Sequence, residues 1–287
     1  MERSRAMSVL SIQSQVSYGR VGNRVAAFAL ERLGHDVWPV DTVQLSNHPA
    51  FGSHTGRVVP AAEVRALITG IAARGAFDRC AAVLSGYLGD PDTGPVVLDA
   101  VAMVKAQNPD ARFCLGAVMG APDGGLYVDA ALPAFFRDYG VPAADIVIGN
   151  AFEIGLLAGG GAETLEDARE AAAALIDHGP GLVVVTGLLV GAELITLAVT
   201  AEAAWSAASP TVEAPAFGAG DLLAALLLGR LLEGAPVPEA LSLAVGGLEG
   251  VFAETARRGD DSLALIAAQF ELGAPSRRPP ARPMGGA

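Results

Sequence analysis

Apolar runs at 80–85, 111–118, 145–149 and 182–186 alternate along the chain with helix-like stretches near 61–73, 94–107, 130–138 and 164–177. A strand that is apolar along its whole length must be covered on both faces. A helix between two such strands supplies cover while returning the chain for parallel pairing. The alternation therefore predicts a mostly parallel sheet between two helical layers. Strands over 7–13 and 36–41, joined by a helical pattern through Val25, Phe28, Ala29 and Leu33, open the unit, and 193–199 adds a strand near an edge. Helices are expected over 221–233, 236–254 and 261–271. The polar, His- and Gly-rich stretch 42–60 has no helical period and is expected to form loops or a small flap.

At 287 residues the chain can bury one large α/β core, and 52% hydrophobic against 17% charged residues suits a sheet covered on both sides. The domain is expected over 7–272. Residues 1–6 read as a flexible extension, and the Pro/Arg/Gly-rich stretch 273–287 reads as a flexible tail. A formal charge of -12 leaves no broad cationic surface for nucleic acid or anionic lipid, so a phosphate ligand must be held locally. No signal-like or membrane-spanning apolar segment is read at the N-terminus. Cys80 and Cys114 lie in apolar runs without metal-ligand spacing, and they read as buried free thiols in a reducing cytoplasm.

Two segments carry chemistry. In PAFGAGDLLAALLLGRLLEG, Gly218, Ala219 and Gly220 allow a tight turn of backbone N–H groups at a helix N-terminus, an anion site. Asp221 follows, where a carboxylate either caps the helix or acts as a base toward a nearby hydroxyl. In ADIVIGNAFEIGLL, Asn150 and Glu153 sit three residues apart just beyond an apolar strand. They read as a capping pair, or as groups that order water around Mg²⁺ beside nucleotide phosphates.

An Asn-x-x-Glu followed by a Gly-x-Gly-Asp, in this order, resembles the ribokinase family. The segments SIQSQVSYGRVGN (11–23), VWPVDTVQLSNHPAFGSHTG (37–56) and VLSGYLGDP (83–91) are similar to those of pyridoxal kinases, and the resemblance covers residues 7–272. It implies a ribokinase-like three-layer α/β/α sandwich with a mostly parallel central sheet and a small flap. It also implies transfer of the ATP γ-phosphoryl group to the 5′-hydroxyl of pyridoxal, with Mg²⁺, in a cytoplasmic homodimer. Asp221 is the implied base, and the amides of Gly218, Ala219 and Gly220 are the implied cradle for the phosphoryl group. Ser14 maps to the hydroxyl that meets the pyridine ring, Val43 to the ring site and Tyr87 to the pocket wall. Asn150, Glu153 and Thr186 map to the nucleotide side, Glu153 reaching the metal through water. His48 and His54 read as solvated flap histidines.

The chain departs from the family pattern around the nucleotide. Where pyridoxal kinases usually show Cys-Asp-Pro-Val-Met-Gly, this chain has Leu115, Gly116, Ala117, Val118, Met119 and Gly120, so the acidic position is Gly116. Gly149 replaces a proline, Pro49 a flap threonine, and Leu222, Leu223 and Ala224 the usual small polar residues. Two alternatives remain open at this point: a ribokinase-fold protein that binds pyridoxal or its phosphate without transfer, and a hydroxymethylpyrimidine kinase.

Overall fold

A computed structural model describes residues 7–214 and 217–285. The expected N-terminal extension over 1–6 lies outside the described residues. The strands are β1 (Ser8–Tyr18), β2 (Asp36–Asn47), β3 (Gly56–Val58), β4 (Cys80–Ser85), β5 (Arg112–Gly116), β6 (Gly120–Ala121), β7 (Gly125–Leu126), β8 (Ile146–Asn150), β9 (Leu182–Val190), β10 (Glu193–Val199), β11 (Ala204–Pro210) and β12 (Arg282–Met284). Ten of them form one sheet in the order β12-β11-β10-β9-β8-β5-β4-β1-β2-β3, and β6 and β7 form a separate hairpin. The pairings from β9 through β2 are parallel, while β3, β10, β11 and β12 attach antiparallel at the two edges.

The helices are α1 (Asn23–Arg32), α2 (Ala61–Ala72), α3 (Thr93–Gln107), α4 (Leu132–Phe135), α5 (Val141–Ala143), α6 (Ala151–Ala158), α7 (Leu165–Ile176), α8 (Ala219–Leu232), α9 (Val237–Arg258) and α10 (Gln269–Gly273). Side chains alternate across the sheet, so each strand feeds two cores. Leu10, Ile12, Val83, Phe113 and Leu115 pack beneath α2, α3, α6 and α7. Val9, Ala82, Leu84 and Cys114 pack beneath α1, α8 and α9. Helix α8 is the deepest: Leu222, Leu223, Leu226, Leu227 and Leu228 are each at most 1% exposed. Each such leucine contributes about 1.5–3 kcal/mol of burial. The nonpolar Leu222-Leu223-Ala224 run thus serves the core.

The helix expected near 130–138 is present and runs on to 143, with a π-type turn at Phe136–Gly140 between α4 and α5. Two expectations need correction. The helix expected over 261–271 shortens to α10; Ala264 instead donates its N–H to the Thr255 hydroxyl at 3.0 Å, tying the segment to α9 as a loop. The stretch 273–285 is not a loose tail. Ser276 donates from its N–H and its hydroxyl to Glu271, Arg277 ion-pairs with the buried Glu249, and β12 completes the sheet edge against β11. Its Pro and Arg content signals disorder by composition, but the arginine finds a buried carboxylate and the strand finds an open edge.

Candidate active site at the carboxyl edge of the sheet

Chain order runs outward from β1 in both directions, to β2 on one side and to β4 on the other. Such a reversal opens a crevice at the carboxyl ends of the strands. Ser14, two residues past the last β1–β4 pair at Ile12, lies there. The β1–β2 register passes from Gln13↔Asp41 to Gln15↔Gln44, so Ser14 faces the two residues Thr42 and Val43 across a β-bulge. Ser14 is 8% exposed and Val43 3% exposed.

The bulge is held from both sides. Thr42 donates its hydroxyl to the Tyr87 carbonyl at 2.6 Å, which brings the loop after β4 against β2. Beneath it, buried Asn23 donates to the Val40 carbonyl at 3.1 Å and to Asp41 Oδ1 at 3.0 Å, and accepts the Ser11 hydroxyl at 2.7 Å. Ser14, Val43 and Tyr87 are therefore brought together, and burial raises the Tyr87 phenol.

Asp221 enters from the opposite side, in the first turn of α8. Its Oδ2 accepts the backbone N–H of Gly22 at 2.7 Å. Gly22 is the N-cap of α1 and packs onto Ser14: a Cβ at Gly22 would lie 2.1 Å from the Ser14 carbonyl oxygen. The residue expected as base and the residue expected at the pyridine ring thus share one intermediary. Gly218 caps α8 with φ 85°, and a Cβ there would lie 2.1 Å from the Arg20 carbonyl oxygen, so only glycine fits. The first intrahelical N–H bond of α8 is that of Leu222 to the Gly218 carbonyl at 2.9 Å. By helix geometry, the N–H groups before it, those of Gly218, Ala219 and Gly220 among them, have no intrahelical acceptor. Burial pushes the Asp221 carboxyl up to about 6 against the opposing pull of the Gly22 N–H.

On the other flank, β8 and β9 set Asn150 beside Thr186 in parallel register. Asn150 and Glu153 form a capping box, with Asn150 Oδ1 accepting the Glu153 N–H at 3.0 Å and Glu153 Oε2 accepting the Asn150 N–H at 2.8 Å. Glu153 does more than cap. Its Oε1 accepts the N–H groups of Met119 at 2.8 Å and Gly120 at 3.3 Å, and Asn150 donates to the Gly120 carbonyl at 2.8 Å, so the pair also pins the start of the β6–β7 hairpin. Burial pushes Glu153 up to about 7, the three N–H groups pull it down, and the charge of Asp221 raises it. Among the described residues no hydrogen bond joins Asp221 to Asn150, Glu153 or Thr186. The two flanks meet through space.

Tyr127 follows β7 and donates its N–H to the Met119 carbonyl at 3.0 Å. Burial raises its phenol first, and the charges of Glu153, Asp221 and Tyr87 raise it further. Sequence reading passed over this residue, although the Asp123-Gly124-Gly125 turn before it carries the signal of a tight hairpin. His48 also differs from expectation: its ring stacks on Phe217 and burial lowers its pKa, whereas His54 is exposed as expected. Gly116 ends β5 with its Cα turned toward β4, and a Cβ there would lie 2.7 Å from the Ser85 carbonyl oxygen. Cys80 and Cys114 are buried free thiols, raised by burial to about 11 and about 12 and so unreactive near neutrality.

No group of three or more His, Cys, Asp or Glu able to cage a metal occurs among the described residues. The site suits a metal that keeps its waters. A carboxylate offers about four acceptor positions. Backbone N–H groups occupy three at Glu153, leaving one for a bound water.

The phosphomethylpyrimidine kinase family profile matches residues 57–263. Pyridoxal kinase PdxY of Rubrobacter xylanophilus is 45% identical, covering 98% of this chain and 99% of the relative. Pyridoxal kinase PdxY of Deinococcus radiodurans is 42% identical, covering 93% of each. Among solved structures, pyridoxal kinase from Leishmania donovani in complex with ADP and pyridoxamine superposes with a TM-score of 0.92 at 28% identity, covering 97% of this chain and all of the other.

Proposed function

The chain belongs to the pyridoxal kinase family, and we propose that it transfers the γ-phosphoryl group of ATP to the 5′-hydroxyl of pyridoxal, giving pyridoxal 5′-phosphate and ADP. The observation that carries this reading is the link Ser14–Gly22–Asp221, which sets a half-buried carboxylate of raised pKa beside both the ring slot and the turn at Gly218. A base that titrates near the working pH, fixed beside a bound alcohol, is suited to taking its proton.

Pyridoxal lies in the slot of Ser14, Val43 and Tyr87, its ring meeting the Ser14 hydroxyl. Asp221 accepts the proton of the 5′-hydroxyl as that oxygen forms its bond to the γ-phosphorus and the bond to the ADP oxygen breaks. The amides of Gly218, Ala219 and Gly220 face the migrating group, where N–H donors fixed in advance oppose its charge without reorganisation. Asn150 and Thr186 hold the nucleotide. Mg²⁺ bound with ATP would supply charge neutralisation at the phosphates, and Glu153 would hold one of its waters through the remaining acceptor position. The protein works as a cytoplasmic homodimer, as the family resemblance implies. No helix among the described residues is long and apolar enough to cross a membrane.

The test is formation of pyridoxal 5′-phosphate by the purified protein with Mg²⁺ and ATP, run beside Asp221→Asn and with hydroxymethylpyrimidine as competing acceptor. Turnover on pyridoxal that falls by roughly two to four powers of ten in the variant, with pyridoxal binding retained, is the expected result. Binding without turnover in the wild type would make this a vitamin-binding protein instead, and preferential turnover of the pyrimidine would reassign the substrate.

A further inference from the structure

Four aromatic rings from three chain segments form one run of contacts over the turn that precedes α8. His48 stacks on Phe217 with centroids 4.6 Å apart and an interplanar angle of 26°. Phe51 meets Phe217 edge-on at 5.9 Å, and Tyr18 meets Phe51 edge-on at 5.9 Å. Tyr18 then donates its hydroxyl to Asp261 Oδ2 at 2.7 Å, anchoring the far end of the run to the loop after α9. Both geometries are the attractive ones for aromatic pairs. His48 and Phe51 belong to the flap beyond β2, held in shape by Asn47, which donates to the carbonyls of His48 and Ser53 at 3.1 Å each.

Phe217 is bonded directly to Gly218, whose left-handed backbone is wedged against the Arg20 carbonyl. The turn cannot shift without carrying the Phe217 ring with it. Phe217 is 40% exposed, and the aromatic rings it meets, His48 and Phe51, both belong to the flap.

We propose that Phe217 is a positioning residue that couples closure of the flap over pyridoxal to occupation of the Gly218–Gly220 turn by the nucleotide phosphates. The coupling rests on the kinase reading above. Phosphate oxygens on the turn's N–H groups fix its backbone and so fix the ring at Phe217. His48 and Phe51 then close onto a rigid platform instead of a moving one. Linkage makes the effect reciprocal: nucleotide tightens pyridoxal binding by the factor by which pyridoxal tightens nucleotide binding.

The experiment is a calorimetric titration of pyridoxal into the full chain, with and without Mg²⁺ and a non-hydrolysable β,γ-imido ATP analogue. The wild type is expected to bind pyridoxal at least about fivefold more tightly with the analogue present. In Phe217→Ala that ratio is expected to fall close to one while affinity for pyridoxal alone stays within about threefold, and Phe217→Tyr is expected to restore it. His48→Ala approaches the same contact from the flap, whose Asn47 hydrogen bonds do not involve the turn, and is expected to lose the same coupling, with no further loss in the double variant. A ratio in Phe217→Ala and His48→Ala equal to that of the wild type, or a wild type with no ratio to lose, overturns the proposal. Wild-type turnover measured alongside tests the kinase reading separately.

Discussion

The backbone N–H of Gly22 donates to Oδ2 of Asp221 at 2.7 Å, so one carboxylate oxygen is fixed by α1 and the other is left toward the crevice. That bond favours the ionised form, yet burial prevails and holds the group at about 6. Since the base must be ionised, kcat/KM is expected to be full at pH 8 and to fall as pH drops through 6, approaching a tenfold loss per unit below it. A pH–rate profile on pyridoxal checks this. A profile flat down to pH 5 would remove Asp221 from the proton transfer.

Gly218→Ala places a methyl 2.1 Å from the Arg20 carbonyl oxygen in a backbone with φ 85°. The strain of such a conformation is about 1–3 kcal/mol, and relief requires the turn to open. A lowered melting temperature together with a loss of kcat larger than the change in pyridoxal affinity is expected. Steady-state kinetics and calorimetric unfolding separate the two effects.

At Gly116, restoring the acidic residue of the family pattern does not simply return a lost charge. The new Cβ would sit 2.7 Å from the Ser85 carbonyl oxygen, between β4 and β5. Gly116→Asp is expected to cost about 1–3 kcal/mol of stability by overpacking. Activity per folded molecule should not rise. Chemical denaturation with a parallel turnover assay reads both quantities.

Ser14→Ala removes the hydroxyl expected to meet the pyridine ring at a position with 8% exposure. Losing one such hydrogen bond is worth about 0.5–1.5 kcal/mol, or roughly a two- to twelvefold rise in KM for pyridoxal. KM for ATP should stay unchanged, and an equal rise in both would place Ser14 outside the ring slot.

Arg277→Ala leaves the Glu249 carboxylate, whose side chain is 8% exposed, without its cation, and Glu249 Oε2 already has no partner among the described residues. A destabilisation of about 1–3 kcal/mol is expected, read as a lower urea midpoint. Glu249→Gln in the same background should recover part of it, since the uncompensated charge is then gone.

The alternating apolar runs were enough to place the central parallel strands and most helices, because a strand buried on both faces leaves an unbroken signature. β4 and β10 fall where the hydrophobic pattern sets them, at 80–85 and 193–199. β11 and β12 escaped notice. Ala204–Pro210 is rich in alanine and serine, and Arg282–Met284 is three residues long, so neither shows a period of its own; pairing with a neighbour defines them. At the candidate site, Asp221 was singled out by its motif, and Ser14 and Tyr87 by the family resemblance. Asn23 and Gly22 were not, since each matters through a long-range contact. His48 was misread for the same reason: the ring it stacks on is distant in sequence.

The bulge opposite Ser14 divides β2 into two halves of opposite phase. Up to Asp41 the strand keeps one register with β1, and beyond it Thr42 and Val43 are buried in succession, after which Gln44, Leu45 and Asn47 pair with β1 in the shifted register and lead into the flap. An insertion that shifts the alternation midway lets the outer half follow the ligand's shape while the inner half follows the core's. The flap can therefore change its length or composition over evolutionary time without forcing β1 and β2 to slip against each other.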